Sequence, residues 1–449
     1  MNHILLKNGR ILDEKTGETV PADVRIENGV IAAIGRDLPE AGAETVDVAG
    51  RLIVPGLIDM HVHLREPGFE HKETIATGTA AAARGGFTTV ACMPNTRPVA
   101  DTPEVIARIR ETAEREGRVR VLPIAAITKR ELGEELTDFA ALKEAGAIAL
   151  SDDGVGVQSA RMMKRAMAWA SELDLPIVAH CEDNSLAKGG CVHDGIFAAS
   201  HGLPGIPGSA EAVHVARDIV LAEETEVHYH VCHISAKTSV DLVRLAKQKG
   251  LRVTAEVTPH HLLLSDEDIP GPDPMYKMNP PLRSAEDRAA LLEALKDGTI
   301  DIIATDHAPH TAQEKEMGIR QAPFGIVGLE TAFPLLYTRL VLTGHLTLMQ
   351  LVEKLTRRPA ELFGLPWGRL AEGQTADITV IDLDEERTID PDAFISKGKN
   401  TPFAGWRAKG WPVLTMVQGR VTWRESVRSV QSPESGTKVL SATCEVEGY

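Results

Sequence analysis

Two hydrophobic rhythms alternate through the middle of the chain. Short, nearly continuous apolar runs occupy residues 87–93, 119–127, 147–150, 175–180, 227–233, 251–257 and 300–305, and an earlier run, 52–60, leads into His61. Runs of this length without polar alternation read as strands buried on both faces. Between them lie segments with apolar residues at helical spacing. In 103–116, Val105, Ile106 and Ile109 fall on one face. In 160–173, Met162, Met163, Ala166, Met167 and Leu173 do the same, and the amphipathic pattern makes them core residues and not a cofactor box. Ser284 reads as the N-cap of a helix that ends at Gly298, with Glu286 and Asp287 in its first turn. Eight strand–helix alternations predict an α/β protein whose central unit, 54–360, is a (β/α)8 TIM-like barrel.

The ends of the chain follow a different pattern. Ile4, Leu5, Ile11, Val24, Ile26, Val30 and Ile34 punctuate short strands, with hairpin signals at Asn8-Gly9 and Glu27-Asn28-Gly29. Segments 377–382 and 413–417 are similar, and Gln418-Gly419 marks another turn. The two ends, 1–53 and 361–425, are expected to build one small β-sandwich domain around the inserted barrel. The Ser- and Glu-rich stretch 426–449 lacks periodicity and is expected to be a flexible tail.

Composition narrows the function. The net charge of −16 without a basic stripe argues against a nucleic-acid partner. No apolar run is long enough to cross a bilayer, and no signal peptide is apparent. The five cysteines, Cys92, Cys181, Cys191, Cys232 and Cys444, are scattered and form no CxxC pair, which fits a reduced, cytoplasmic setting.

Barrel chemistry sits at the C-terminal ends of the strands, and the chain places metal-ligand types there. His61 and His63 end the first strand, with Arg65 at the same parity. Asp152-Asp153 follow the fourth strand, His180 ends the fifth, His233 the sixth, and Asp306 the eighth. Alone, a strand-end His is more often structural, and an Asp can cap a helix. Imidazoles and carboxylates converging on one rim instead describe a nitrogen- and oxygen-ligated divalent site. Arg65 supplies a planar fork for a carboxylate, which an acidic protein needs in order to hold an anionic substrate. His230 is set aside because its parity differs from that of His233, and His228 because it lies farther back.

His61-x-His63-x-Arg65, Met93-Pro94-Asn95-Thr96, Asp152-Asp153-Gly154, Ala179-His180-Cys181-Glu182, Cys232-His233-Ile234-Ser235, Glu256-Val257-Thr258-Pro259-His260-His261 and Thr305-Asp306-His307-Ala308-Pro309-His310 together resemble the bacterial type I dihydroorotase family of the amidohydrolase superfamily. The resemblance runs from about residue 3 to 423. It implies two zinc ions per chain: His61, His63 and Asp306 on the more buried one, His180 and His233 on the second. Many relatives bridge the metals with a carboxylated lysine; here Asp153 is implied as the bridge, with Asp152 bonded to the loop. The implied substrate-binding residues are His63, Arg65, Asn95, Asn279, His310, Phe324 and Gly325. Arg65 and His310 suit a carboxylate, and the two Asn residues an amide-like ring edge, although Asn is equally at home in loops. Glu256 reads as a buried acid supporting a ligand, with direct metal contact left open, and His260 and His261 as the start of a loop without a catalytic role.

The activity implied is reversible zinc-dependent cyclisation of N-carbamoyl-L-aspartate to L-dihydroorotate in de novo pyrimidine (UMP) synthesis. Metals would lower the pKa of a bridging water, and Asp306 would shuttle the proton as the catalytic base and acid. The resemblance also implies a homodimer and association with aspartate transcarbamoylase. A hydantoinase, dihydropyrimidinase or allantoinase stays open, as does a non-catalytic scaffold. The polar segment 310–320 is expected to be a mobile loop beside the site.

Overall fold

The computed structural model describes residues 3–425; the expected tail, 426–449, lies outside the described residues. Eight parallel strands close into a barrel: Leu57–Val62, Phe87–Cys92, a third in two pieces (Arg120–Pro123 and Ala125–Ala126), Leu150–Ser151, Ile177–Ala179, Tyr229–Val231, Val253–Val257 and Ile302–Ile303. The last rejoins the first through a parallel bridge between Val62 and His307 and a 2.9 Å bond from the His63 N–H to the His307 carbonyl. Asp59 straps the same seam, accepting from the backbone N–H groups of His61 and Thr305, each at 3.1 Å.

Several strands are shorter than their apolar runs. The ladder at the fourth covers only Leu150–Ser151 and at the eighth only Ile302–Ile303, yet Ala147, Ala149, Ile300 and Ala304 are also buried. An apolar run reports burial, and burial continues where the hydrogen-bonded ladder has stopped. The helices follow their patterns more closely. Pro103–Glu116 buries Val105, Ile106 and Ile109; Ala160–Glu172 buries Met163, Ala166, Met167 and Ala170. Ser284 caps Ala285–Asp297 in a reciprocal box with Asp287, and Gly298 ends that helix in the left-handed conformation.

Both chain ends feed one hydrogen-bonded sheet of eight strands. Its order is Arg420–Arg424, Arg407–Val417, Ile378–Thr388, Leu52–Pro55, His3–Leu12, Thr19–Glu27 and Val30–Gly35, with Glu44–Asp47 also pairing His3–Leu12. Ile378–Thr388 pairs antiparallel with Leu52–Pro55, which joins the ends. Ile4, Leu6, Val24, Ile26, Ile31, Ile53, Ile378, Val380 and Met416 form the core of this sheet. Asn28-Gly29 and Gln418-Gly419 are hairpin turns with positive φ at both residues. Asn8-Gly9 is not. It is a bulge inside His3–Leu12, where the register shifts between Leu6 and Gly9. Gly9 permits close packing there, since a Cβ would lie 2.4 Å from the Ile53 side chain. After Ile378–Thr388 the chain returns to the barrel mouth, where Ile395 and Ser396 donate backbone N–H groups to Glu330.

Candidate active site

The six residues expected as metal ligands lie together at the C-terminal rim of the barrel, all buried. His61 Nε2 is 3.5 Å from Asp153 Oδ1 and 3.4 Å from Asp306 Oδ1. His63 Nε2 is 3.1 Å from Asp306 Oδ1 and 3.5 Å from Asp153 Oδ2. Asp153 Oδ1 also lies 3.8 Å from both His180 Nδ1 and His233 Nε2, and those two nitrogens are 3.1 Å apart. Asp153 is therefore the carboxylate within reach of both histidine pairs. Asp152 turns away, accepting from the Thr128 N–H at 2.9 Å and from the Thr128 hydroxyl.

Strand parity explains only part of this convergence. The first strand ends at Val62, and Arg65 sits beyond it at φ 63°. His233 and Asp306 also have positive φ, 31° and 49°. Non-glycine residues held in this region carry strain that the surrounding structure must enforce. These turns, not the pleat, aim His233 and Asp306 at His61. His230, set aside on parity, does point into the barrel, where its Nε2 is 3.2 Å from Glu256 Oε2.

The donor set fits a divalent cation. His61, His233 and Asp306, and likewise Asp153, His180 and His233, offer ligand atoms within 4.8 Å of one another. His61 Nε2, Asp153 Oδ1, His180 Nε2 and His233 Nδ1 are buried without hydrogen-bond partners among the described residues. Buried polar atoms of this kind are costly unless something satisfies them. Burial works against charge throughout the cluster. Even so, His61 and the neighbouring His63 and His233 hold the Asp306 carboxyl below its usual range, and His61, His233, His63 and His180 do the same for Asp153. Burial, reinforced by His233, lowers His180 to about 3, so it stays neutral with a lone pair to give.

Above the cluster is a cavity of about 210 Å3 lined by His63, Arg65, Asn95, Asp153, His180, His233, Asn279, Asp306, Phe324 and Gly325. Of the expected site residues only His61, beneath it, and His310, behind Arg65, do not line it. Asn95 accepts from His63 Nδ1 at 2.9 Å and reaches Asp153 Oδ2 at 3.3 Å; Asn279 donates to Glu182 at 2.9 Å. The Arg65 Nε–H donates to the Pro309 carbonyl at 3.2 Å, and burial lowers its pKa only to about 10, so it remains a cation. His310 differs from the charged partner expected. Its Nε2 is 2.8 Å from the Phe324 carbonyl, an acceptor, and its Nδ1 is 3.4 Å from Lys72 Nζ, a donor. The same Nε2 also lies 3.2 Å from Arg65 Nη2, so it faces an acceptor and a donor at once, and burial, with Arg65, Lys72 and Lys315 nearby, disfavours the charged ring. Gly325 lets this wall close up, since a Cβ there would lie 2.7 Å from Ala308 Cβ and 3.1 Å from His310 Nε2.

Residues 50–239 match the family model described as Dihydro-orotase-like. The chain is 66% identical over 427 residues to the dihydroorotase of Geobacillus sp. (strain WCH70), covering 94% of this chain and 99% of that protein. It is 63% identical over 421 residues to the dihydroorotase of Halalkalibacterium halodurans, covering 94% and 98%. This chain belongs to the dihydroorotase family. Among solved structures it resembles the L-hydantoinase (dihydropyrimidinase) of Arthrobacter aurescens, with a TM-score of 0.85, 29% identity and coverage of 94% and 96%. The dihydropyrimidinase of Brevibacillus agri NCHU1002 gives 0.83, 26%, 94% and 95%.

Within this dihydroorotase family member, several contributors escaped the sequence reading. Cys232 brings its sulfur within 4.8 Å of ligand atoms of His61 and Asp153, and burial keeps the thiol protonated. His260 and His261 lie on a short buried helix, Pro259–Leu263, and do not open a loop. His261 bridges Thr258 and the Pro280 carbonyl, while His260 Nε2 is buried without a hydrogen-bond partner among the described residues. The segment 310–320, expected to be a mobile loop beside the site, contains helical turns at Ala312–Lys315 and Gly318–Gln321. Burial first, and then Lys277, lower the Lys315 pKa to about 7. Lys315 stands in a polar run that gave no hint of burial. Its role comes from backbone carbonyls, which a sequence does not display. Among the described residues, no helix is long and apolar enough to cross a membrane.

Proposed function

We propose that this chain is a dihydroorotase, interconverting N-carbamoyl-L-aspartate and L-dihydroorotate in pyrimidine synthesis. The observation that carries this reading is one cavity lined by five ligand-type side chains, with His61 beneath them, and by the Arg65 cation. Two zinc ions would be held by His61, His63 and Asp306 and by His180 and His233, with Asp153 the carboxylate within reach of both sets. Bound metal supplies an activated water near neutral pH and polarises the substrate carbonyl.

The chain's own residues do the rest. Arg65 holds the substrate carboxylate by its planar fork, with the neutral His310 and the Phe324–Gly325 backbone closing that end of the cavity. Asn95 and Asn279 present amide groups to the edge of the ring. Asp306, ionised and 3.1 Å from His63, takes the proton from the attacking water and delivers it to the departing ring nitrogen. Cyclisation reverses these steps. A dianionic open-chain substrate accounts for a half-buried arginine at the cavity of a chain of net charge −16.

In the same reading the division of the chain is 1–53 and 361–425 as a small sandwich domain and 54–360 as the catalytic barrel. The protein works in the cytoplasm as a homodimer that can associate with aspartate transcarbamoylase. The structural likeness to hydantoinases keeps cyclic amidase activity on other rings in view. The relatives at 63–66% identity and Arg65 in the cavity favour dihydroorotate. Elemental analysis of purified protein, alongside hydrolysis of dihydroorotate, allantoin and hydantoin, tests the metal and substrate assignments. Turnover of dihydroorotate with bound zinc is expected; metal-loaded protein that hydrolyses only another ring would overturn the reading.

A further inference from the structure

We infer that Lys315 and Asn400, neither of which lines the cavity, are positioning residues that set the site's preference for a carboxylate-bearing substrate. The inference rests on the substrate proposed above and adds what holds its clamp in shape.

Lys315 is among the largest fully buried side chains of the protein, and among the described residues no carboxylate pairs with its ammonium. Instead Nζ donates to three backbone carbonyls: Lys277 at 3.2 Å, Pro323 at 3.1 Å and Gly325 at 3.0 Å. An ammonium has three N–H donors and no acceptor, so this cage uses all of them. The cage ties the turn Ala312–Lys315 to the two segments that carry Asn279 and Phe324–Gly325.

Asn400 grips the same wall from the other side. Its Nδ2 donates to the Ala308 and Gly325 carbonyls, each at 3.0 Å, and its Oδ1 accepts from the His310 N–H at 3.1 Å. Its own carbonyl accepts from the Val327 N–H at 2.9 Å. Asn400 arrives on the segment that returns from the small sheet, so the wall is fixed by a part of the chain far from the catalytic strands. The Gly325 carbonyl is the shared point, bonded by both residues.

The geometry separates this wall from the metal cluster. Neither Lys315 nor Asn400 hydrogen-bonds any of the six ligand residues, and both hold residues placed around the carboxylate end of the cavity. Loss of either should misplace that end while sparing the reacting centre. The kinetic signature is a rise in KM with kcat retained.

The test uses metal-loaded, full-length Asn400→Ala, Asn400→Asp and Lys315→Met proteins, with metal content and thermal unfolding recorded for each. Wild-type turnover of dihydroorotate is measured first; its absence would sink the proposed function itself. Given wild-type turnover, each variant is expected to raise KM for dihydroorotate about 5- to 100-fold, the range set by leaving buried partners unbonded, with kcat within about threefold. Asn400→Asp should be the more severe Asn400 change, because a carboxylate would face two carbonyl oxygens. If Lys315→Met does not fold, Lys315→Gln, which keeps an amide donor, should show the same split at smaller size. Unchanged KM in folded variants, or a loss confined to kcat, would overturn the inference while leaving the dihydroorotase reading intact.

Discussion

His61 Nδ1 lies 2.6 Å from Glu256 Oε1, a contact that decides which nitrogen of His61 faces the ligand cluster. Glu256 is buried and ionised, so it can only accept. Nδ1 carries a proton, so Nε2 is the nitrogen that faces Asp153 and Asp306; despite burial, Glu256, Asp306 and Asp153 raise the ring's pKa to about 10, and a metal at Nε2 would displace the second proton. Glu256 is fixed in turn: its other oxygen meets His230 Nε2 at 3.2 Å, and His230 Nδ1 meets the Thr254 hydroxyl at 2.8 Å. Glu256→Gln should weaken metal retention about 10- to 100-fold, the usual cost of losing a partner behind a ligating histidine. Metal content after dialysis against graded chelator measures it. Wild-type retention would show that Glu256 does not orient His61.

Asp306 combines ionisation with reach. The neighbouring histidines overcome the effect of burial and keep it a carboxylate, and it stands 3.1 Å from His63. Asp306→Asn preserves shape but cannot take a proton. A fall in kcat of about 10²- to 10⁴-fold is expected, with the unfolding temperature little changed. Steady-state hydrolysis of dihydroorotate in protein matched for metal content measures it, and near-normal kcat would remove Asp306 as the proton carrier.

Arg65 makes a contact that lysine cannot copy. Its Nε–H is used on the Pro309 carbonyl and its Nη2 lies 3.2 Å from His310 Nε2, two contacts that orient the planar group at the cavity wall. Arg65→Lys keeps the charge but loses the fork. KM for dihydroorotate should rise by about tenfold or more, with smaller change for an uncharged cyclic amide such as dihydrouracil used as a competitor. Equal effects on both ligands would mean that Arg65 does not read the carboxylate.

The sequence made the barrel legible because its strands are buried on both faces, and continuous apolar runs such as 227–233 are what such burial demands. The rim residues were legible because strand ends are where barrels carry chemistry. Two kinds of information were not. One is the backbone turn: Asn8-Gly9 has the dipeptide of a hairpin but serves as a bulge, and His233 and Asp306 reach the cluster through left-handed turns that no parity rule supplies. The other is long-range bonding to backbone. Asn400 lies 75 residues from Gly325 in the chain, and Lys315 is held by carbonyls that every residue possesses. Family resemblance implied His310 as a substrate-binding residue, while its place between Arg65 and the Phe324 carbonyl emerged only from the geometry.

Glu131 offers a stability test at a residue outside the ligand set. It follows the third barrel strand at φ 56°, and its buried Oε1 has no hydrogen-bond partner among the described residues. Burial, and then Asp152, Asp153 and Asp101, raise its pKa from 4.5 to about 9. The sign follows from proton binding. Between these two values the folded state holds the proton more tightly than the unfolded state, so Glu131 lowers stability as pH rises through that window. Below pH 4.5 both states are protonated and the penalty vanishes. Glu131→Gln mimics the protonated acid at every pH. Its unfolding temperature should exceed that of wild type by about 2–4 °C near pH 8 and converge with it toward pH 4. Calorimetry across that range measures the difference, and a gap that does not change with pH would show that Glu131 ionises normally in the folded protein.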